Sequence, residues 1–237
     1  MKTIFLIFLL ISNISYADNQ ATTPYNATVV INRQSVNCIA LEVAMEKASA
    51  EKAFKAFMKK EMGIKVRTKS GKLTSKKFQF TQVSKHDLQL TGHIDGRIEG
   101  STLHLLIQND ELMNFTDAGV NPIETAIFME VLEDFGRFTE YLMVQEELIK
   151  LEATSKNQKE IYQSNKKAIN TIKRHEQYRQ GGLKPSTRDQ KYDDNINRKA
   201  ALEHLKVLDE ENKRIKKDLK ILKSQIKEKK QALEAFQ

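Results

Sequence analysis

Residues 88–107 read LQLTGHIDGRIEGSTLHLLI, and the period of this stretch decides the fold class. Leu88, Leu90 and Ile94 alternate with Gln89, Thr91, His93 and Asp95, so apolar and polar side chains fall on opposite faces of a strand. Asp95-Gly96-Arg97-Ile98-Glu99-Gly100 is a turn candidate, after which Leu103, Leu105 and Ile107 resume the alternation. A hairpin with one apolar and one polar face predicts an antiparallel sheet that is solvated on one side and covered by a helix on the other.

Reading upstream, Phe78 and Phe80 also alternate with polar residues. Ile64 and Val66 suit a short strand, with a turn at Lys69-Ser70-Gly71-Lys72. Before them, Ala50, Ala53, Phe54, Phe57 and Met58 recur at helical spacing, so this segment supplies the covering helix, with Ser49 as its cap and Gly63 as its stop. Val36 to Met45 alternates again, and Ala27 to Ile31 is rich in β-branched residues. The competing reading is a single helix from about 39 to 62. The fold class is α+β: a small antiparallel sheet with a packed helix, in a domain over residues 18–120.

Reading downstream, the period lengthens. Asn121-Pro122-Ile123-Glu124 combines an N-cap residue, a proline at the first helical position and an acid at the third. Ile127, Val131, Phe135, Phe138, Leu142 and Ile149 follow at helical spacing, and Gly181-Gly182 with Pro185 ends the helix. A second helix then runs almost to Gln237. Leu205, Asn212, Leu219, Ile226 and Leu233 recur every seven residues, as do Leu208, Ile215, Leu222, Lys229 and Phe236. This is the seam of a coiled coil with polar interruptions at Asn212 and Lys229. Two helices joined by a short Gly/Pro loop near 181–187 predict a long antiparallel coiled-coil hairpin over 121–237. Folding about residue 183 places Asn212 near Ser155.

The chain has 237 residues with only 3 Pro and 9 Gly, which suits long helices better than a loop-rich or all-β fold. Its net charge of +8 is unevenly placed. Residues 146–237 hold 23 Lys+Arg against 15 Asp+Glu, a balance of +8, whereas residues 18–145 hold 15 against 16, a balance of −1; Lys2 adds the remaining +1. The basic excess beyond residue 17 therefore belongs to the helical arm, where it attracts acidic partners, although a charge run on a coiled coil also serves as its solvated face.

Residues 1–17 have the form of a signal peptide: Lys2, the apolar run Ile4 to Ile11, and Ser15 and Ala17 as a small-x-small cleavage site. The expected address is outside the cytoplasm, periplasmic or secreted. Nucleic acid is not expected as a partner there, and no basic segment is interleaved with aromatic residues for base stacking. Any membrane contact is expected to be peripheral and electrostatic. Cys38 is the only cysteine, so no internal disulfide or cysteine-rich metal site is available, and it reads as a small buried hydrophobe.

Candidate chemistry is sparse. His93 and His104 flank the predicted turn and can be cross-strand neighbours. With Asp95 they offer donors that suit zinc, but the spacing matches no specific motif, and solvent-facing strand histidines are commoner. No phosphate loop, G-x-S-x-G or H-E-x-x-H occurs. No catalytic residue, metal or cofactor is expected, and the chain does not read as an enzyme. The expected partner-binding residues lie at the tip of the arm: Arg179, Lys184 and Arg188, with Tyr178 and Tyr192 as aromatic anchors.

Residues 50–60 (AEKAFKAFMKK), the Gly63 to Lys72 strand and turn, and the arm from about 121 resemble a family of uncharacterised exported bacterial proteins. In that family a signal peptide precedes a small α+β domain and a Lys/Glu-rich helical arm. The resemblance implies the layout and supplies no functional residues. The expected function is a non-enzymatic exported interaction or scaffold protein that meets a protein partner, or itself, through its basic coiled-coil arm. A periplasmic holdase-like chaperone and a small-ligand carrier are the alternatives.

Overall fold

The structure, a computed structural model, describes residues 23–31, 33–85, 87–111, 113–180 and 188–236. The expected signal peptide and the loop near 181–187 lie outside them. The chain divides into two compact units, Met1–Glu140 and Tyr141–Gln237.

The first unit is an α+β fold. Its strands are β1 (Tyr25–Ile31), β2 (Gln34–Val43), β3 (Val66–Lys69), β4 (Lys72–Ser75), β5 (Leu88–Arg97) and β6 (Gly100–Asn109). They form one six-stranded sheet in the order β1-β2-β6-β5-β4-β3, with every neighbouring pair antiparallel. Helix α1 (Lys47–Glu61) connects β2 to β3. The predicted stripe Ala50, Ala53, Phe54, Phe57 and Met58 is its buried side. The single-helix alternative over 39–62 is overturned: Ile39 and Leu41 are buried strand residues paired with Leu105 and Leu103.

Helix α2 (Pro122–Gln180) starts where the proline signal placed it, with Thr125 N donating to Asn121 O at 2.9 Å. Its opening turns belong to the first unit. Phe135 meets Phe54 edge-on at a centroid distance of 5.1 Å and Phe57 at 5.5 Å, and Phe128 meets Phe80 at 5.7 Å. Aromatic contacts of this kind add to the burial of large side chains. Phe128, Leu132 and Phe135 are fully enclosed, which explains why this unit extends to Glu140.

Local conformations follow the turn residues. Ser70 and Gly71 both have positive φ, 51° and 77°, as a two-residue hairpin requires between β3 and β4. Gly63 (φ 68°) ends α1, with Ile64 N and Met62 N both donating to Met58 O.

Three local expectations are corrected. Ser49 is not the cap of α1; the helix begins at Lys47, with Ala50 N donating to Glu46 O at 2.9 Å. Ser101 Oγ donates to Met45 O at 2.9 Å just before it, so the chain turns earlier. Phe78 and Phe80 do not form a strand. Phe78 makes a single bridge to Leu88, and the N–H groups of Val83 and Ser84 then fold back onto Phe80 O. The turn candidate 95–100 is shorter than expected, because β5 and β6 pair down to Arg97 and Gly100.

The second unit holds the rest of α2 and helix α3 (Arg188–Glu234). Contacts between them run in opposite directions along the two helices. Tyr141 meets Phe236, Lys229 pairs with Glu147, Asn165 Nδ2 donates to Glu211 Oε2 at 3.1 Å, and Arg198 pairs with Glu176 at 3.1 Å. Leu208, Ile215 and Leu222, three of the predicted seam positions, are the buried apolar residues of α3. The expected neighbourhood of Asn212 and Ser155 is overturned: Glu211 lies opposite Asn165, roughly 15 Å along α2 from Ser155. The two helices are paired around a point nearer residue 188 than 183, and Asn212 Oδ1 is buried without a hydrogen-bond partner.

Candidate functional site

The basic excess of the second unit is organised as a groove. On α3, Lys213, Lys216, Lys217, Lys220 and Lys223 recur at three- and four-residue spacing, which keeps them on one side of the helix. Lys230 continues the row, and from Lys213 to Lys230 it spans about 25 Å. Lys156 and Lys159 of α2 line the same groove, which has a volume of about 1200 Å³. Leu219, Ile226 and Ser155 also contribute to its lining.

Eight of the twelve lining residues are lysines, and Glu152 is the one acid among them. That carboxylate is engaged by Lys230 Nζ at 2.9 Å. The other seven lysines form no ion pair among the described residues, whereas Lys229, outside the groove, pairs with Glu147. The groove thus concentrates uncompensated positive charge beside lysine stems and two aliphatic side chains. Such a surface suits an anionic polymer with apolar contacts.

The expected tip residues Tyr178, Arg179, Lys184, Arg188 and Tyr192 lie outside the residues whose side chains the structure describes. The groove is what the sequence reading missed: its signal was the lysine spacing on α3, obscured by reading that run as the solvated back of a coiled coil.

A second cluster lies in the first unit. His93 of β5 is paired directly with His104 of β6, and Asp95 is two residues along from His93, on the same face. The imidazole rings are stacked, with centroids 4.6 Å apart and planes at 13°. Asp95 Oδ2 lies 3.1 Å from His93 Nε2 and 3.6 Å from His104 Nε2. Cys38 Sγ stands 4.0 Å from His104 Nδ1. Val29, Val30, Lys72 and Thr91 share a cavity of about 270 Å³ with the two rings and Cys38.

Burial is the main cause that lowers the pKa of His104, and neighbouring His93 adds to it, while Asp95 partly opposes the shift. Burial likewise pushes the Cys38 thiol up to about 11, so it stays protonated at neutral pH and is a poor nucleophile. Cys38 is fully buried, as the sequence reading expected.

Among the described residues no helix is long and apolar enough to cross a membrane. No protein-family model, curated protein or solved structure matches the chain.

Proposed function

We propose that this chain is a non-enzymatic, exported interaction protein whose helical arm is an antiparallel coiled-coil hairpin that holds an acidic polypeptide. The observation that carries this reading is the groove, in which seven lysines face no carboxylate partner among the described residues. The coiled-coil reading is supported by the heptad spacing of the buried Leu208, Ile215 and Leu222 and by the opposed cross-helix contacts. The export reading rests on the pattern of residues 1–17, and the resemblance to exported two-part proteins rests on residues 50–60, the Gly63 to Lys72 strand and turn, and the arm from about 121. An acidic protein segment is the occupant favoured by an exported location. Nucleic acid has no role in this reading, and membrane contact is peripheral at most.

The full chain is to be titrated with a fluorescent peptide rich in Glu and Asp. Binding is expected to weaken steeply with salt, since exposed charges are screened beyond about 8 Å at physiological ionic strength. Lys216→Glu/Lys220→Glu/Lys223→Glu should weaken it about tenfold or more while leaving helicity intact. Affinity unchanged in this variant would overturn the groove reading. Suppressed aggregation of unrelated unfolded proteins, with no preference for acidic peptides, would favour a holdase. A small molecule retained through purification would favour a carrier.

A further inference from the structure

We propose that His93, Asp95 and His104 form a divalent transition-metal site, with zinc as the ion that its donor set fits, on the face of the sheet that β5 and β6 share with Cys38. This site is independent of the groove and runs against the sequence-based expectation of no metal.

The first argument is distance. One ligand atom from each of the three residues lies within 4.8 Å of the others. Nitrogen and oxygen ligands about 2.0–2.1 Å from a tetrahedral zinc stand roughly 3.4 Å from one another. The two separations to Asp95 Oδ2, 3.1 and 3.6 Å, bracket that value.

The second argument is how the fold holds the donors. His93 and His104 are opposed on adjacent strands, and Asp95 follows His93 at the strand period, so strand pairing alone puts the three on one face. The two strands approach closely here: a Cβ on Gly92 would fall 2.6 Å from His104 O. The side chain of His104 is only 17% exposed, which limits its freedom to turn away.

The third argument is orientation. A zinc-bound histidine uses one ring nitrogen and donates a hydrogen bond from the N–H of the other. His104 Nε2 faces Asp95, and Nδ1 faces Cys38 Sγ at 4.0 Å. A metal on Nε2 requires the ring proton on Nδ1, where Cys38 Sγ is the neighbouring acceptor. Three protein ligands leave a fourth position for water or a small anion. Lys72, paired with His93 across β4 and β5, lines the same cavity and favours an anion there.

The test uses the untagged full chain and the metal alone. Zn²⁺ is to be titrated in competition with a chromophoric chelator, and Co²⁺ is to be added as a spectroscopic substitute. One ion per chain is expected, with the visible absorption of tetrahedral cobalt. Asp95→Asn removes an exposed carboxylate and should fold normally; it is expected to weaken binding by roughly 10- to 100-fold. His93→Ala/His104→Ala should abolish the cobalt spectrum, whereas His175→Ala/His204→Ala on the arm should leave it unchanged. Stoichiometric binding that survives both Asp95→Asn and the His93/His104 variant, or no binding below about millimolar metal, would overturn the assignment and leave a stacked histidine pair beside Asp95.

Discussion

His93 and His104 lie face to face across β5 and β6, with ring centroids 4.6 Å apart and planes only 13° from parallel. The pairing brings an imidazole pair to a sheet face that also holds Asp95, and it depends on how closely the two strands approach. Gly92 sits beside His93, and its missing side chain lets the His104 carbonyl come near.

Gly92→Ala therefore places a methyl group against backbone that has no room to yield. Destabilisation of about 1–3 kcal/mol is expected, the usual range for overpacking. Thermal unfolding of the variant checks this. A melting temperature equal to that of the unchanged chain would show that β5 can shift without cost.

Phe135 is fully buried and touches both Phe54 and Phe57. Phe135→Ala should lower the stability of the first unit by about 3–5 kcal/mol, as aromatic truncations in cores do. Phe138→Ala, on a ring 5.7 Å from Phe57, should cost less. Denaturant midpoints for the two variants give the comparison, and equal losses would argue against Phe135 as the centre of this cluster.

Leu222 and Lys223 are adjacent on α3 but differ in burial: Leu222 is 9% exposed, whereas Lys223 is an exposed residue. Leu222→Asp places an unpaired carboxylate on the buried side of α3 and should cost several kcal/mol, roughly the scale of an uncompensated buried polar group. Lys223→Asp should shift stability by only about 0.5 kcal/mol, as exposed substitutions do. Helix melting followed by circular dichroism distinguishes them, and similar shifts would mean the seam is misassigned.

Glu51 ties α1 to β3: its carboxylate accepts hydrogen bonds from Lys55 Nζ at 2.6 Å and from Thr68 Oγ1 at 2.5 Å. The bond from Lys55, and then that from Thr68, holds its pKa below the ordinary carboxylate value. A carboxylate depressed in the folded state stabilises above its unfolded pKa, near 4.3, and loses that contribution as pH falls through the folded value. Glu51→Gln should lower stability at pH 7 by about 1 kcal/mol or less, because Lys55 is partly exposed. The two proteins should converge as pH falls through the depressed folded value of Glu51. A pH-independent difference between their melting temperatures would show that ionisation of Glu51 is not the cause.

Much of the fold was legible because its signals are periodic. The alternation at Leu88–Ile94 and Leu103–Ile107 became β5 and β6, and the Ala50–Met58 stripe became the buried side of α1. Gly63 and Pro122 marked helix ends for steric reasons that act locally. Phe78 and Phe80 misled because alternation does not show whether a paired strand is available; Phe80 instead packs on Phe128, far away in sequence. Asn212 was misplaced because the pairing of two long helices depends on side-chain lengths at every level, not on the midpoint of their loop. All three members of the histidine cluster were legible as candidates, since His93 and Asp95 share a face by spacing and the predicted turn made His93 and His104 candidate cross-strand neighbours. That His104 stands directly opposite His93 required the strand register.

The claim that the lysine groove holds an acidic polypeptide is tested most directly by locating such a chain on the protein. A photo-crosslinking amino acid is to be placed singly at Lys156 and at Lys220, both in the groove, and at Lys206, an exposed residue outside its lining. Each full-length protein is then irradiated with an isotopically labelled Glu/Asp-rich peptide at low and high salt. Strong crosslinks from positions 156 and 220 at low salt, lost at high salt and absent from 206, are the predicted result. Equal crosslinking from all three positions, or crosslinking from 206 alone, would contradict it.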